Sequence, residues 1–293
     1  MAATFLPLSA LALDRAAMVP EGRVIGHRGL GAHHVPEPEN SAWALAAAFQ
    51  AGVSAVEFDV QLTTDDELIL AHDVTLDRMT TGSGCVSERD LTYLSRLQLR
   101  DGKGHPTEKS VSTFDEALDI VRAYDVPGTR PFVADIHIKV YDHFHGDWGG
   151  LVNHFCSPTR YRKLTRMVLE AVRKHGLSDR VIFTAFDERV LKLIRKLEPK
   201  ARVGLLSDFR QVNAIKRALK AKYDAVGLEF DRINAKETKL AHDHGLAVYA
   251  WSPAAEADME KLFATYQVDS VIADDVPNAL QACRKSCYTL AHE

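Results

Sequence analysis

Two acidic residues two positions apart, Glu57 and Asp59, stand first among the residues of this chain that could do chemistry. In the run Ala55-Val-Glu-Phe-Asp59 they alternate with Val56 and Phe58, so an extended strand turns both carboxylates to one face. Carboxylates so placed repel one another unless a cation or a base lies between them. Hard divalent ions such as Mg2+ and Ca2+ take oxygen donors of this kind, although an ordinary structural ion pair would use the same spacing. A second cluster is Ala134-Asp135-Ile136-His137-Ile138-Lys139, in which Asp135, His137 and Lys139 share one strand face. Three charged or polar groups directed inward lose several kcal/mol of solvation unless something compensates them, so this face reads as functional.

Two histidines join these clusters. Val24-Ile25-Gly26 runs straight into His27-Arg28-Gly29, which places His27 and Arg28 at a strand's C-terminal end. The strand bearing Asp59 continues toward Asp65-Asp66, and Glu67-Leu-Ile-Leu-Ala then leads to His72-Asp73. Asp-Asp suits a two-residue turn. A hairpin centred on that turn pairs position 59 with position 72 and brings His72 beside Asp59. The set then comprises two carboxylates for a cation, two imidazoles able to exchange protons near neutral pH, and Arg28 with Lys139 to clamp an anion. Metal-assisted phosphodiester cleavage is the chemistry this combination supports. A glycine-rich phosphate loop is missing, so nucleotide triphosphate chemistry has no support.

The elements that must position these residues follow a repeat. Short apolar runs at 181–185, 202–206, 225–229, 247–251 and 270–273 are separated by amphipathic stretches, a spacing that fits successive strand–helix units. Leu164, Met167, Val168, Ala171 and Val172 form one helical face with Gly176 behind them as a stop. Asp187 and Asn234 are placed to cap helices, Gly245 to end one, and Pro277 to occupy a first turn. Ser41 to Ala51 reads as an alanine-rich helix closed by Gly52. Runs at 23–26, 55–59 and 132–138 complete eight strands, and the pattern predicts an α/β fold, a (β/α)8 TIM barrel. A doubly wound open sheet of nine strands is the alternative. Residues 1–22 read as an N-terminal extension and 23–293 as the barrel domain, with a small glycine-punctuated insertion after the second strand at about 74–111. That insertion and the stretch Tyr141 to Pro158, with His143, His145, Trp148 and His154, belong above the barrel mouth, where active sites are built.

Composition narrows the classes further. The chain has 293 residues, 46% apolar and 26% charged, with a formal net charge of −4. Those values are ordinary for a folded soluble enzyme and leave no basic footprint for nucleic acid. No run approaches the roughly 20 apolar residues of a membrane span, so no integral membrane segment is expected. The apolar run Phe5 to Leu13 lacks a basic leader and is broken by Pro7. Cys85, Cys156, Cys283 and Cys287 form no CxxC motif, and so few in so long a chain predict reduced thiols and a cytoplasmic setting over a secreted or periplasmic one.

The residues from 27 to 80 closely resemble the glycerophosphodiester phosphodiesterase family, a phosphatidylinositol-phospholipase-C-like group of phosphodiesterases. His27-Arg28-Gly29 matches its opening signature, followed by Pro38-Glu39-Asn40-Ser41, Glu57-x-Asp59-Val60-x-x-Thr63-x-Asp65, His72-Asp73, Thr75-Leu76-Asp77-Arg78 and Thr80. Tyr249-Ala-Trp251 and Ile272-Ala-Asp274-Asp275-Val-Pro277 are similar to its closing strands. The resemblance implies a TIM barrel that hydrolyses glycerophosphodiesters to glycerol 3-phosphate and an alcohol, within lipid and glycerol metabolism. His27 and His72 would be general acid and base, in an order the sequence leaves open. Arg28 and Lys139 would hold the phosphate, Trp251 would line the alcohol site, and Glu57 and Asp59 would bind one divalent cation. The family's third-strand Glu-x-Lys is His137-Ile138-Lys139 here, so His137 stands as third ligand. Mg2+ or Ca2+ is the expected ion, with Mn2+ or Co2+ brought within range by the imidazole. A lysophospholipase D-type enzyme on the same barrel and a non-catalytic phosphate-binding relative are the alternatives. The expected partner is a small-molecule glycerophosphodiester, and the oligomeric state is not legible.

Overall fold

The computed structural model describes residues 15–20, 23–31, 36–125, 132–142 and 155–287. The run at 5–13 and the residues His143, His145, Trp148 and His154 lie outside these. In chain order the strands are β1 (Val24–Gly26), β2 (Ala55–Leu62), β3 (Leu68–Leu70), β4 (Gln98–Arg100), β5 (Pro106–Ser110), β6 (Ala134–Ile138), β7 (Val181–Ala185), β8 (Arg202–Ser207), β9 (Ala225–Glu229), β10 (Ala247–Trp251) and β11 (Ser270–Ala273). Strands β1, β2 and β6 to β11 are parallel neighbours in that order, and β1 pairs with both β11 and β2. That double pairing closes the sheet into an eight-stranded barrel and excludes the open-sheet alternative.

Local signals in the chain set the helices around it. Ser41 caps Ala42–Ala51 by accepting from the Ala44 amide, and Gly52 ends that helix at φ 108°, a conformation that disfavours any side chain. Asp187 and Asn234 cap their helices in the same way, and Pro277 sits in the first turn of Val276–Ser286. The strand residues that point outward pack with the helices into one continuous apolar layer that includes Phe58, Ile136, Phe183, Leu205 and Val248.

Inward-facing residues behave differently. At the barrel's base Ile25, Ala55, Ile182, Ala225, Ala247 and Ile272 meet Met18 from the short helical turn Arg15–Met18. The Tyr249 hydroxyl donates to the Met18 carbonyl at 2.5 Å, and Arg15 reaches Asp269 at 2.7 Å, which fastens this segment beneath the barrel. Nearer the mouth the inward positions turn polar.

The insertion has its own small core of Ile69, Leu76, Met79, Val86, Leu94 and Leu99 under the hairpin β4–β5. Two expectations about this part of the molecule are corrected. The β2–β3 hairpin pairs Val60 with Leu70 and Leu62 with Leu68, so it is centred on Asp65 and position 59 faces 71, not 72. Asp66 takes φ 68°, making this a three-residue loop with a left-handed last position rather than a two-residue Asp-Asp turn. The cysteines, expected to be reduced, are paired: Cys85 with Cys156 and Cys283 with Cys287. The first pair ties the insertion to the segment that follows β6, where Ser87 Oγ also donates to the Ser157 carbonyl at 2.9 Å. Among the described residues no helix is long and apolar enough to cross a membrane.

Candidate active site

An open cavity at the C-terminal ends of the barrel strands is lined by His27, Arg28, Glu57, Asp59, His72, His137, Lys139 and Trp251. All eight residues singled out in the sequence therefore meet in one place. Parallel pairing of β2 with β6 sets Glu57 beside Asp135 and Asp59 beside His137. Glu57, Asp59 and His137 are buried, and one donor atom from each lies within 4.8 Å of the others, the arrangement a metal ion requires.

Asp59 is the most heavily partnered of these groups. Asn40, itself at φ 51°, grips it twice: its side-chain amide donates to Oδ2 at 2.8 Å, and its carbonyl oxygen accepts the Asp59 amide at 2.9 Å. His137 Nδ1 lies 2.8 Å from Asp59 Oδ1, Lys139 Nζ 3.6 Å from the same oxygen, and Arg28 Nε 3.7 Å from Oδ2. Burial alone would raise the Asp59 carboxyl, but Lys139, His72 and then His137 hold it well below the usual range. Glu57 goes the other way. Burial pushes its carboxyl well up, Asp59 pushes it further, and the Arg28 amide donating at 3.0 Å does not reverse this. Two carboxylates and an imidazole thus form a donor set that fits a divalent cation.

The two imidazoles are held alike. His27 Nδ1 is 2.5 Å from Asp274 Oδ1, and its Nε2 is 3.8 Å from Glu57 Oε2. His72 Nδ1 is 2.6 Å from Asp73 Oδ1. With a carboxylate accepting from Nδ1, each ring keeps Nε2 as its working nitrogen. Asp73 is fixed by Arg78 at 2.6 Å, and Arg78 also reaches Glu39 at 2.7 Å, which in turn accepts from Arg28 at 2.8 Å. Burial, then Lys139 and Arg28, push the His72 imidazole down to about 4. Burial would raise the Asp274 carboxyl, yet the facing His27 imidazole and then Arg28 hold it below the carboxylate range.

His72 arrives here by a different route from the one the register argument gave. The β3 pairing stops at Leu70, and Gln61 Nε2 then donates to the carbonyls of both Ala71 (2.9 Å) and Asp73 (2.7 Å). That side-chain clamp bends the chain, and the Tyr141 hydroxyl, donating to the His72 carbonyl, completes the bend. The orienting residues Asn40, Glu39, Asp73, Arg78 and Asp274 were visible only as motif letters; their hydrogen bonds join segments distant in sequence. The cavity's other wall, with Phe186, Leu206 and Phe230, also went unread, though Phe186 and Phe230 each directly follow a strand. Trp251 meets Phe186 edge-on at 5.7 Å between ring centroids, and its buried Nε1 has no hydrogen-bond partner.

The model of the glycerophosphoryl diester phosphodiesterase family matches residues 27–277, which spans every residue of this cavity. A glycerophosphodiester phosphodiesterase of Caldanaerobacter subterraneus is 26% identical over 264 residues, covering 89% of this chain and 98% of the relative. Another, from Bacillus subtilis, is 23% identical over 251 residues, covering 81% and 78% respectively. The barrel also superposes with a TM-score of 0.76 on a phosphodiesterase from Oleispira antarctica in complex with the product sn-glycerol-3-phosphate. That protein is 21% identical, and the match covers 93% of this chain and 99% of it. The chain thus belongs to the glycerophosphoryl diester phosphodiesterase family and is an enzyme of it, a phosphoric diester hydrolase.

Proposed function

We propose that this enzyme hydrolyses glycerophosphodiesters to glycerol 3-phosphate and an alcohol, with one divalent cation held by Glu57, Asp59 and His137. The observation that carries the reading is the convergence of two carboxylate-held imidazoles on a buried carboxylate pair with a third ligand beside it. When bound, the cation would sit against the carboxylates and draw charge from a phosphoryl oxygen. Lys139, buried, and Arg28, partly buried, are both positively charged; they clamp the remaining phosphoryl oxygens and offset the charge that builds in the transition state. His72 is neutral at physiological pH and takes the proton of the attacking water at Nε2. His27 delivers a proton to the departing alkoxide, and the ionised Asp274 balances the charge on its ring. Trp251 lines the alcohol side.

His137 bears on the choice of ion. An imidazole in place of a third carboxylate lowers the site's negative charge by one and favours ions that accept nitrogen, so Mn2+ or Co2+ gains on Mg2+ and Ca2+. The paired cysteines favour an oxidising compartment over the cytoplasmic one first expected. The test is glycerol 3-phosphate release from glycerophosphocholine after EDTA treatment, with each ion restored in turn. Recovery with Mn2+ or Co2+ above Mg2+ and Ca2+ is the expected result. Full activity in EDTA would remove the cation from the scheme.

A further inference from the structure

His72 stands where two loops distant in sequence meet. On one side the insertion folds back on the residues behind His72. The Leu76 amide donates to the Gly84 carbonyl at 2.9 Å and the Val86 amide to the Val74 carbonyl at 3.0 Å, which sets Cys85 opposite Thr75. On the other side the segment that follows β6 is held to Thr159. The Tyr141 amide donates to Thr159 Oγ1 at 2.9 Å, the Thr159 amide donates to the Tyr141 carbonyl at 2.8 Å, and the Tyr141 hydroxyl donates to the His72 carbonyl. The Cys85–Cys156 bond joins the two sides, and both cysteines and Tyr141 are buried. The contacts form a closed circuit: from His72 through Thr75 to Cys85, across the disulfide to Cys156 and Thr159, and back through Tyr141 to His72. Other links between the loops are exposed hydrogen bonds. The Ser157 amide and hydroxyl donate to Glu88 at 3.0 and 3.1 Å, beside the Ser87 bond to the Ser157 carbonyl. Water competes for such bonds, whereas the covalent link opens only by reduction.

We propose that the Cys85–Cys156 disulfide is a positioning element for His72, so that turnover depends on the oxidation state of this bond. The proposal rests on the role given to His72 above. A dithiol reductant opens the circuit: the sulfur–sulfur bond breaks, each cysteine sulfur takes up one proton, and the dithiol is oxidised to its own disulfide. The carbonyl of His72 then hangs from a Tyr141 whose segment is no longer covalently fixed to the insertion. Arg160, which donates to the Thr63 carbonyl, keeps the far end of that segment docked, so the loss is partial. His72 moves a proton and does not clamp the phosphate, so the effect falls on kcat and spares KM.

The experiment measures steady-state turnover of glycerophosphocholine by the metal-restored full chain, with and without dithiothreitol, at a temperature where circular dichroism shows every sample folded. Reduction should lower the native kcat about tenfold, short of the roughly 10²-fold that a displacement of about 1 Å can cost, with KM within about twofold. Cys85→Ser/Cys156→Ser should start at the lowered kcat and not respond to dithiothreitol, which also controls for any effect of the dithiol on the cation. Tyr141→Phe cuts the same circuit at another link while keeping the ring. Its kcat should fall to a similar level, and adding the cysteine changes or the dithiol should lower it little further, because a circuit already open cannot be opened again. Cys283→Ser/Cys287→Ser, at the end of the helix Val276–Ser286, should keep both the native kcat and its fall in dithiothreitol. A native kcat unmoved by full reduction, a loss carried by KM alone, or effects of Tyr141→Phe and the cysteine changes that multiply would each overturn this proposal and leave the phosphodiesterase reading standing. No turnover by the oxidised native protein with any ion overturns both.

Discussion

The base and the mouth of the barrel are built from the same strands, with opposite chemistry. Along β2 the inward residues run Ala55, Glu57, Asp59, and at β1 Ile25 is followed by His27. The lower residue of each series packs with Met18 in an apolar plug, whereas the upper ones are charged or polar and open on a cavity. One strand therefore serves the core with its first inward side chain and the candidate site with its last. The difference teaches where destabilising groups can be kept: buried carboxylates and cations are tolerated at the mouth because the plug below and the helix layer outside hold the barrel closed.

The contrast predicts that substitutions at the two levels separate activity from stability. At the mouth, His72→Ala should lower kcat by about 10² to 10⁴, with a thermal midpoint close to the native one, because His72 lines the open cavity and takes no part in the apolar plug or the helix layer. Steady-state kinetics beside a melting curve decide the matter; a collapse in stability with activity per folded molecule intact would erase the distinction. At the base, Met18→Ala should do the reverse. Met18 is 3% exposed inside the plug, and truncating it should cost about 2–5 kcal/mol of unfolding free energy, while kcat at 25 °C stays within about twofold. Urea titration together with the same assay checks this. Loss of kcat at full folding would mean that the plug shapes the site.

A third change tests whether the mouth is held from above as well as from below. Cys85 and Cys156 join residues 71 apart in sequence and fasten the insertion next to the residues that bring in His72. Replacing both with Ser should remove about 2–4 kcal/mol of stability. In reductant, which also opens Cys283–Cys287, the native protein and the double variant should melt together. If reductant lowers the native midpoint more than the variant's, the Cys85–Cys156 bond exists in solution; equal midpoints for native and variant without reductant would show that it does not.

Much of this layout was legible in the chain before any coordinates. The strands at 181–185, 225–229, 247–251 and 270–273 fall where the apolar runs lie, because each is a short buried strand bounded by a cap or a glycine. The carboxylates of β2 and the polar face of β6 follow from strand alternation alone. His72 shows where such reasoning fails: the hairpin slipped by one residue, and only a side-chain clamp by Gln61, invisible to any periodicity, returned the histidine to the site. The cysteines failed for another reason. Spacing motifs find local pairs, whereas Cys85 and Cys156 meet only after two loops distant in sequence are brought together. Asp274 and the aromatic wall required the closure of the barrel, which places strands far apart in the chain across one lumen.

Asp135 lies between the two levels and sharpens the comparison. It is fully buried, accepts from the Thr184 hydroxyl at 2.7 Å, and its second oxygen has no partner. Burial raises its carboxyl to about 7, with the Thr184 hydrogen bond pulling the other way. Between pH 4 and 7 the native protein therefore keeps a proton that the unfolded chain has lost. Stability from this group falls as pH rises through that window, by at most about 1.4 kcal/mol per unit. His72 has the opposite sign. Its imidazole titrates near 4 when folded and near 6.5 when unfolded, so its contribution is lost as pH falls through that range. The two offset each other between pH 4 and 6.5 in the native, metal-free protein. Asp135→Asn removes one side of that balance, so its unfolding free energy should rise with pH from 5 to 6.5 more steeply than the native value. Urea unfolding at pH 5, 6.5 and 8 measures the difference, and parallel profiles for the two proteins would return Asp135 to an ordinary carboxylate of the mouth.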